Sequence, residues 1–139
     1  MNINTNAVTV ETKTVKSLPI IFWQDTPVIT TELLASVYET DVKNIQMNFS
    51  RNIDHFIDGQ HCFKLTGTDL KEFKNQPTNC GLVEIAKNTS HLMLWTERGT
   101  VRHAKMLGTE KAWEVQDQLA AQLILQTWLN NHTNKDYRC

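Results

Sequence analysis

The chain has 139 residues, a formal net charge of −1, and 40% hydrophobic against 21% charged residues. That length is one domain's worth and can bury a core without disulfides or metals. The near-zero charge excludes a globally basic nucleic-acid binder, so any DNA footprint must come from local clustering. Cys62, Cys80 and Cys139 are scattered and form no CxxC. They point to free thiols in a reducing compartment rather than a disulfide framework or a zinc knuckle. No apolar run approaches the ~20 residues of a membrane span, and the Asn- and Thr-rich start lacks the apolar stretch of a signal peptide. The expectation is an intracellular, cytoplasmic protein with no cofactor.

In chain order, residues 1–17 read as a flexible arm, in which Val8 and Val10 alternate as in a short strand. Leu18 to Trp23 is a compact apolar run, Gln24 to Pro27 is turn chemistry, and Val28 to Thr30 resumes β character, so a hairpin is expected. Thr30 or Thr31 can cap a short helix carrying Leu33, Leu34 and Val37. Thr40-Asp41 supplies a second cap, giving a helix-turn-helix-like pair. The second helix is expected over Val42 to Phe56: Val42, Ile45, Phe49, Ile53 and Phe56 recur at steps of three and four and share one face.

Asp58-Gly59 then marks a turn, and His61 to Leu65 a strand. Thr66 and Asp69 fit a capping box for a short helix through Phe73. Residues 74–90 read as a loop with an apolar patch at Leu82 to Ala86. Leu92 to Trp95 is a strand, Thr96 caps a helix that Gly108 stops, and Thr109 caps a long last helix ending near Asn130.

Two helical faces could carry chemistry. Asn44, Asn48, Arg51, Asn52 and His55 form a polar stripe on the 42–56 helix. Asn pairs with adenine edges and Arg with guanine edges, and a helix fits the major groove. An ordinary solvated face gives a similar stripe, but Asn is a poor helix former, ~0.5 kcal/mol worse than Ala, and the Glu–Lys pairs usual on solvated faces are missing. On the helix after Thr96, Arg98, Arg102 and Lys105 form a basic stripe, with Val101, Ala104 and Leu107 assigned to the opposite side. Only Glu97 opposes the three cations, leaving residues 96–107 at +2. Such a stripe suits phosphate contacts or, equally, a solvated face; Lys43 and Lys64 could join it. The last helix is apolar over a wide arc (Ala112, Trp113, Val115, Leu119, Ala120, Leu123, Ile124, Trp128), so it is either buried on several sides or joined to a partner chain.

Catalysis finds little support. His55, His61, His91, His103 and His132 have no metal-ligand spacing, no cysteine sits in a nucleophile setting, and no glycine-rich phosphate loop occurs. The adjacent His61 and Cys62 point to opposite faces of a strand. No enzyme is expected.

Several blocks carry a family resemblance: Leu18-Pro-Ile, Val28 to Ala35, Val37-Tyr38, Lys43 to Gln46, Asn48-Phe-Ser-Arg-Asn52, Phe56 with Gly59 and His61, Phe63 to Leu65, Leu94-Trp-Thr-Glu-Arg-Gly99, Arg102 to Leu107, and Ala112-Trp113. In this order they resemble the phage "open reading frame 6 N-terminal" domain, grouped with the KilA-N and Bro-N domains of phage and large-virus regulators. The resemblance runs from about Leu18 to about Val115. It implies a phage or prophage regulator with a DNA-binding domain. Relatives described as antirepressors carry a second domain, whereas only the last helix and a tail at Asn130 to Cys139 follow here. Cys62 stands where an aromatic is expected.

The expected fold is α+β, an N-terminal hairpin and short strands packed with about five helices. The expected organisation is an arm (1–17), a regulatory domain (18–115), and the rest of the last helix with the tail (116–139). Expected partners are double-stranded DNA, a phage repressor, and a second copy of the chain through the last helix, with no membrane.

Overall fold

The computed structural model describes residues 21–75 and 89–132, with side chains at 126, 127 and 129–132 not described. The expected arm, residues 18–20, most of the 74–90 loop with its apolar patch, and the end of the tail lie outside the described residues. Those described form five strands, β1 (Phe22–Trp23), β2 (Thr26–Pro27), β3 (Ile29–Thr30), β4 (Cys62–Thr66) and β5 (His91–Trp95). They also form five α-helices, α1 (Thr31–Val37), α2 (Val42–Arg51), α3 (Gly67–Asn75), α4 (Glu97–Leu107) and α5 (Glu110–His132), with a 3-10 turn at Ile53–His55. The fold is α+β, as expected.

The hairpin turns at Gln24-Asp25, both at positive φ (52° and 60°). Two residues in that region match the twist of the flanking strands. The turn is tighter than expected: Thr26-Pro27, read as turn chemistry, form β2 and pair with β1, while the expected return strand at Val28 to Thr30 supplies β3, which leaves that sheet and joins β5. Pro27, which has no amide to donate, stands at the division. The second sheet has the order β3-β5-β4, all antiparallel, with Cys62 opposite Trp95 and Phe63 opposite Leu94.

Alternation along these strands feeds two cores. Cys62, Trp95 and Ile29 face one with Tyr38, Ile45, Phe56, Ala112 and Leu119. Leu65 and Leu94 face the other with Ile21, Trp23, Leu70 and Phe73. Cys62 is 3% exposed, and burial pushes its thiol up to about 11. It packs as a small apolar residue.

Several caps fall where the sequence puts them. The Thr30 hydroxyl accepts from the Leu33 amide (3.2 Å), that of Thr96 from Gly99 (3.4 Å) and that of Thr109 from Ala112 (3.1 Å). Gly108 ends α4 at φ 61°, a left-handed position suited to glycine. The Asp41 side chain makes no cap bond at the start of α2; Thr40 beside it accepts from the Asn44 amide group instead (2.8 Å).

The 42–56 helix departs from expectation. α2 stops at Arg51, Asn52 leaves the helical region (φ −130°, ψ 36°), and the 3-10 turn follows. The Asn52 side-chain amide donates to the Asn48 carbonyl (3.0 Å), which its backbone amide also reaches (3.2 Å). Such a local side-chain bond to a backbone carbonyl is common for Asn and suits it to a helix end. Ile53 is consequently 56% exposed rather than on the core face, whereas Phe56 returns to the core through the 3-10 turn at 6%. Ile45 and Phe49 are placed as expected, Phe49 packing edge-on against Trp95 (5.6 Å) and Phe56 (5.5 Å).

Candidate functional site

The segment Leu94 to Leu107 builds one rigid edge of the molecule. Thr96 anchors its turn: its amide donates to the His61 carbonyl (3.0 Å) and its hydroxyl to the Gln60 carbonyl (2.6 Å). Gly99 presses against the same loop, and any Cβ there would collide with the His61 carbonyl oxygen. Glycine is therefore required by close backbone approach. On the inner side, the Tyr38 hydroxyl donates to the Thr100 carbonyl (2.8 Å) and the Trp95 indole to the Thr31 hydroxyl (3.0 Å). The first ties α4 to the residue that ends α1, and the second ties β5 to the start of α1.

Gly99, Thr100, His103 and Ala104 are the buried residues of α4. Arg98, Val101, Arg102 and Lys105, at steps of three, one and three, occupy the outward face. Val101 thus lies with the basic stripe, not opposite it as expected, because it stands three residues after Arg98 and four before Lys105. Ala104 and Leu107 do face the core.

With Ile57, Gln60, His61 and Glu97, the outward residues line an open groove of about 420 Å³. The loop forming its other wall is held by the His61 amide donating to the Ile57 carbonyl (2.9 Å) and the Ile57 amide donating to His61 Nδ1 (3.0 Å). An accepting Nδ1 leaves the proton of the neutral ring on Nε2. Burial, then the positive charges of Arg102 and Arg98, hold the His61 pKa below its usual value. The groove is thus a cationic strip with one carboxylate and a neutral imidazole beside it, suited to an anion.

Beneath it, His103 is fully buried, its ring 4.3 Å from that of Trp95 and 4.8 Å from that of Phe56. Neither ring nitrogen has a hydrogen-bond partner among the described residues. Burial lowers its pKa to about 4, so it is neutral at physiological pH.

Of the residues singled out from sequence, Arg98, Arg102 and Lys105 come together in this groove. Lys43, Asn44, Asn48, Arg51, Asn52, His55 and Lys64 do not line it. On α2 the asparagines turn toward the protein: Asn44 bonds Thr40, Asn52 bonds the Asn48 carbonyl, and the Asn48 Nδ2 is buried without a partner. Lys43, Arg51 and His55 stand exposed, as does Lys64 on β4. The residues that sequence reasoning missed are Ile57, Gln60 and His61. Their one legible signal is Gly99, a glycine inside a capped helix with no turn to explain it.

No helix among the described residues is long and apolar enough to cross a membrane. Neither a curated protein nor a solved structure matches the chain. One family model matches residues 18–106, a span that takes in the hairpin, both polar helices and the whole Thr96–His61 junction. The chain belongs to the ORF6N domain family, a phage-associated domain.

Proposed function

We propose that this protein binds double-stranded DNA as a phage regulator, using the groove along α4 as its phosphate-binding edge. The observation that carries the reading is the convergence of Arg98, Arg102 and Lys105 beside His61 on a wall fixed by the Gly99 contact. Rigid placement of several cations at one edge is what phosphate contacts need, and such contacts set orientation without reading sequence. Lys43 and Lys64 contribute further charge. Base contacts fall first to the exposed Arg51 and His55, because Asn44 and Asn52 each commit an amide N–H within the protein and the Asn48 Nδ2 is buried. The role is binding, not catalysis.

A second reading is an antirepressor-like module that grips a phage repressor without touching DNA. It is favoured by the inward-turned asparagines, which leave few groups for base readout, and by a net charge of −1. Duplex binding measured against salt separates the two. DNA binding through several phosphates predicts affinity falling steeply as salt rises, the logarithmic slope following the number of phosphates neutralised. No duplex binding at low salt, across a random-sequence pool, removes the DNA reading in favour of the repressor-binding one.

A further inference from the structure

His61 has four polar groups, and three of them hold it in place. Its backbone amide donates to the Ile57 carbonyl (2.9 Å), its carbonyl accepts from the Thr96 amide (3.0 Å), and its Nδ1 accepts from the Ile57 amide (3.0 Å). The fourth, Nε2, carries the proton of the neutral ring. It has no partner among the described residues. The residue is only 4% exposed, yet it lines the groove beside α4. Its Nε2 is not enclosed as both ring nitrogens of His103 are. A nearly buried ring thus keeps one free donor, and that donor has access to the groove.

The groove around it is rich in donors that lack acceptors. Arg98, Arg102 and Lys105 make no ion pair among the described residues, and their head groups can only donate. We propose that the His61 Nε2–H donates to a phosphoryl oxygen held in this groove and fixes where along the cationic strip the phosphate sits. The inference rests on the phosphate-binding reading above, in which the oxygen belongs to a DNA phosphodiester. The three cations ride on long side chains, which attract the group without setting its place. His61 is tied through its backbone on both sides and through Nδ1. Its donor is therefore pre-organised and loses little freedom on binding. Being uncharged, it adds affinity without adding to the salt slope, which counts neutralised phosphates.

Two substitutions separate this donor from the ring's part in the loop. In His61→Asn the amide oxygen falls near the place of Nδ1 and can accept from the Ile57 amide, but nothing reaches the place of Nε2. In His61→Gln the amide nitrogen reaches the place of Nε2, and the acceptor for Ile57 is lost. Duplex binding is measured at low salt and neutral pH, at a temperature where all three chains are folded. His61→Asn should weaken affinity roughly tenfold, the worth of one hydrogen bond to a charged group, and keep the wild-type salt slope. His61→Gln should bind close to wild type while melting lower.

A second readout uses inorganic phosphate as the probe. In the isotope-labelled full chain, the His61 Nε2 resonance is assigned by its loss in His61→Asn. It should shift as phosphate replaces chloride at constant ionic strength, well beyond any shift of the exposed His91. Wild-type affinity in His61→Asn overturns the proposal. So does weakening in His61→Gln alone, which would mean that the ring serves the loop and not the ligand. Should both variants weaken alike, the phosphate titration decides: a shift at His61 Nε2 upholds the donor, and no shift overturns it. Absence of duplex binding by the wild type removes the DNA reading by itself, and the same titration then judges the donor.

Discussion

The helices α2 and α4 carry stripes that look alike in the sequence, polar residues at steps of three and four opposite an apolar face. In the folded molecule they diverge. The α4 stripe, Arg98, Arg102 and Lys105, stands off the surface and lines a groove. The α2 stripe is split: Arg51 and His55 are exposed, while Asn44 and Asn52 bond back to the cap and the helix and the Asn48 Nδ2 is buried without a partner. Reach explains the difference. A long charged side chain carries its head into water, whereas a short amide meets backbone carbonyls and cap hydroxyls within one turn. A polar stripe is therefore a better forecast of an outward surface when its residues are long and ionised.

If that contrast is right, the two helices respond oppositely to substitution, and the largest effects are on stability. Phe49→Ala removes a ring packed on Trp95 and Phe56. It should cost about 3 kcal/mol, as truncations of core aromatics do, measured by urea unfolding. A variant as stable as wild type would mean that the apolar side of α2 is not core.

His103 gives an effect of similar size on the α4 side. Its pKa is about 4 in the folded chain, against about 6.5 for an unfolded histidine. Between those values the unfolded chain takes up the proton and the folded one does not. Stability is therefore full above pH 6.5 and falls as pH drops toward 4, by roughly 3 kcal/mol in all. Burial and the nearby arginines shift His61 in the same direction. His103→Leu should flatten most of the dependence in thermal melts from pH 7 to pH 4. An unchanged slope would place the acid sensitivity elsewhere.

Much of this architecture was legible because it is local. Thr30, Thr96 and Thr109 each cap the helix that begins beside them, and Gly108 ends α4, all from residues within four positions. The end of α2 at Arg51 was not legible, because it turns on Asn52 leaving helical φ/ψ while its side chain bonds the Asn48 carbonyl, which no spacing announces. Nor was the transfer of β3 to the second sheet, set by pairing with residues 94 and 95. The groove was half legible. Its cations declare themselves by spacing along one helix, but its other wall comes from residues 57–61, joined to Thr96 and Gly99 by contacts that span more than 30 positions. Long-range contacts leave no periodic trace.

Binding sharpens the contrast further. Arg102→Ala should leave the melting temperature within a degree or two, the usual result for a surface substitution. It should also reduce the salt slope of duplex binding by about one, weakening all sequences alike. Asn44→Ala should do the reverse. It should lose about 1 kcal/mol of stability with the Thr40 bond and leave the salt slope untouched. Should Asn44→Ala alter binding while Arg102→Ala does not, the two stripes have been assigned the wrong way round.

The smallest expected effect is the most discriminating. Asn48 is one of the five residues of the expected α2 reading stripe, yet its Nδ2 is buried and unpartnered. If the residue is internal, Asn48→Ala removes an unsatisfied donor and gains ~0.5 kcal/mol of helix propensity, offset by the packing it loses. The net change in stability should stay within about 0.5 kcal/mol, with duplex affinity and sequence preference unmoved. If Asn48 instead rotates outward to read a base, the same substitution should cost about 1–3 kcal/mol of binding and relax preference at one position. Both outcomes concern one amide and leave the fold intact. Equilibrium binding to a selected duplex and to a single-position mismatch therefore decides whether the Asn48 amide serves the proposed base readout or only the packing of α2.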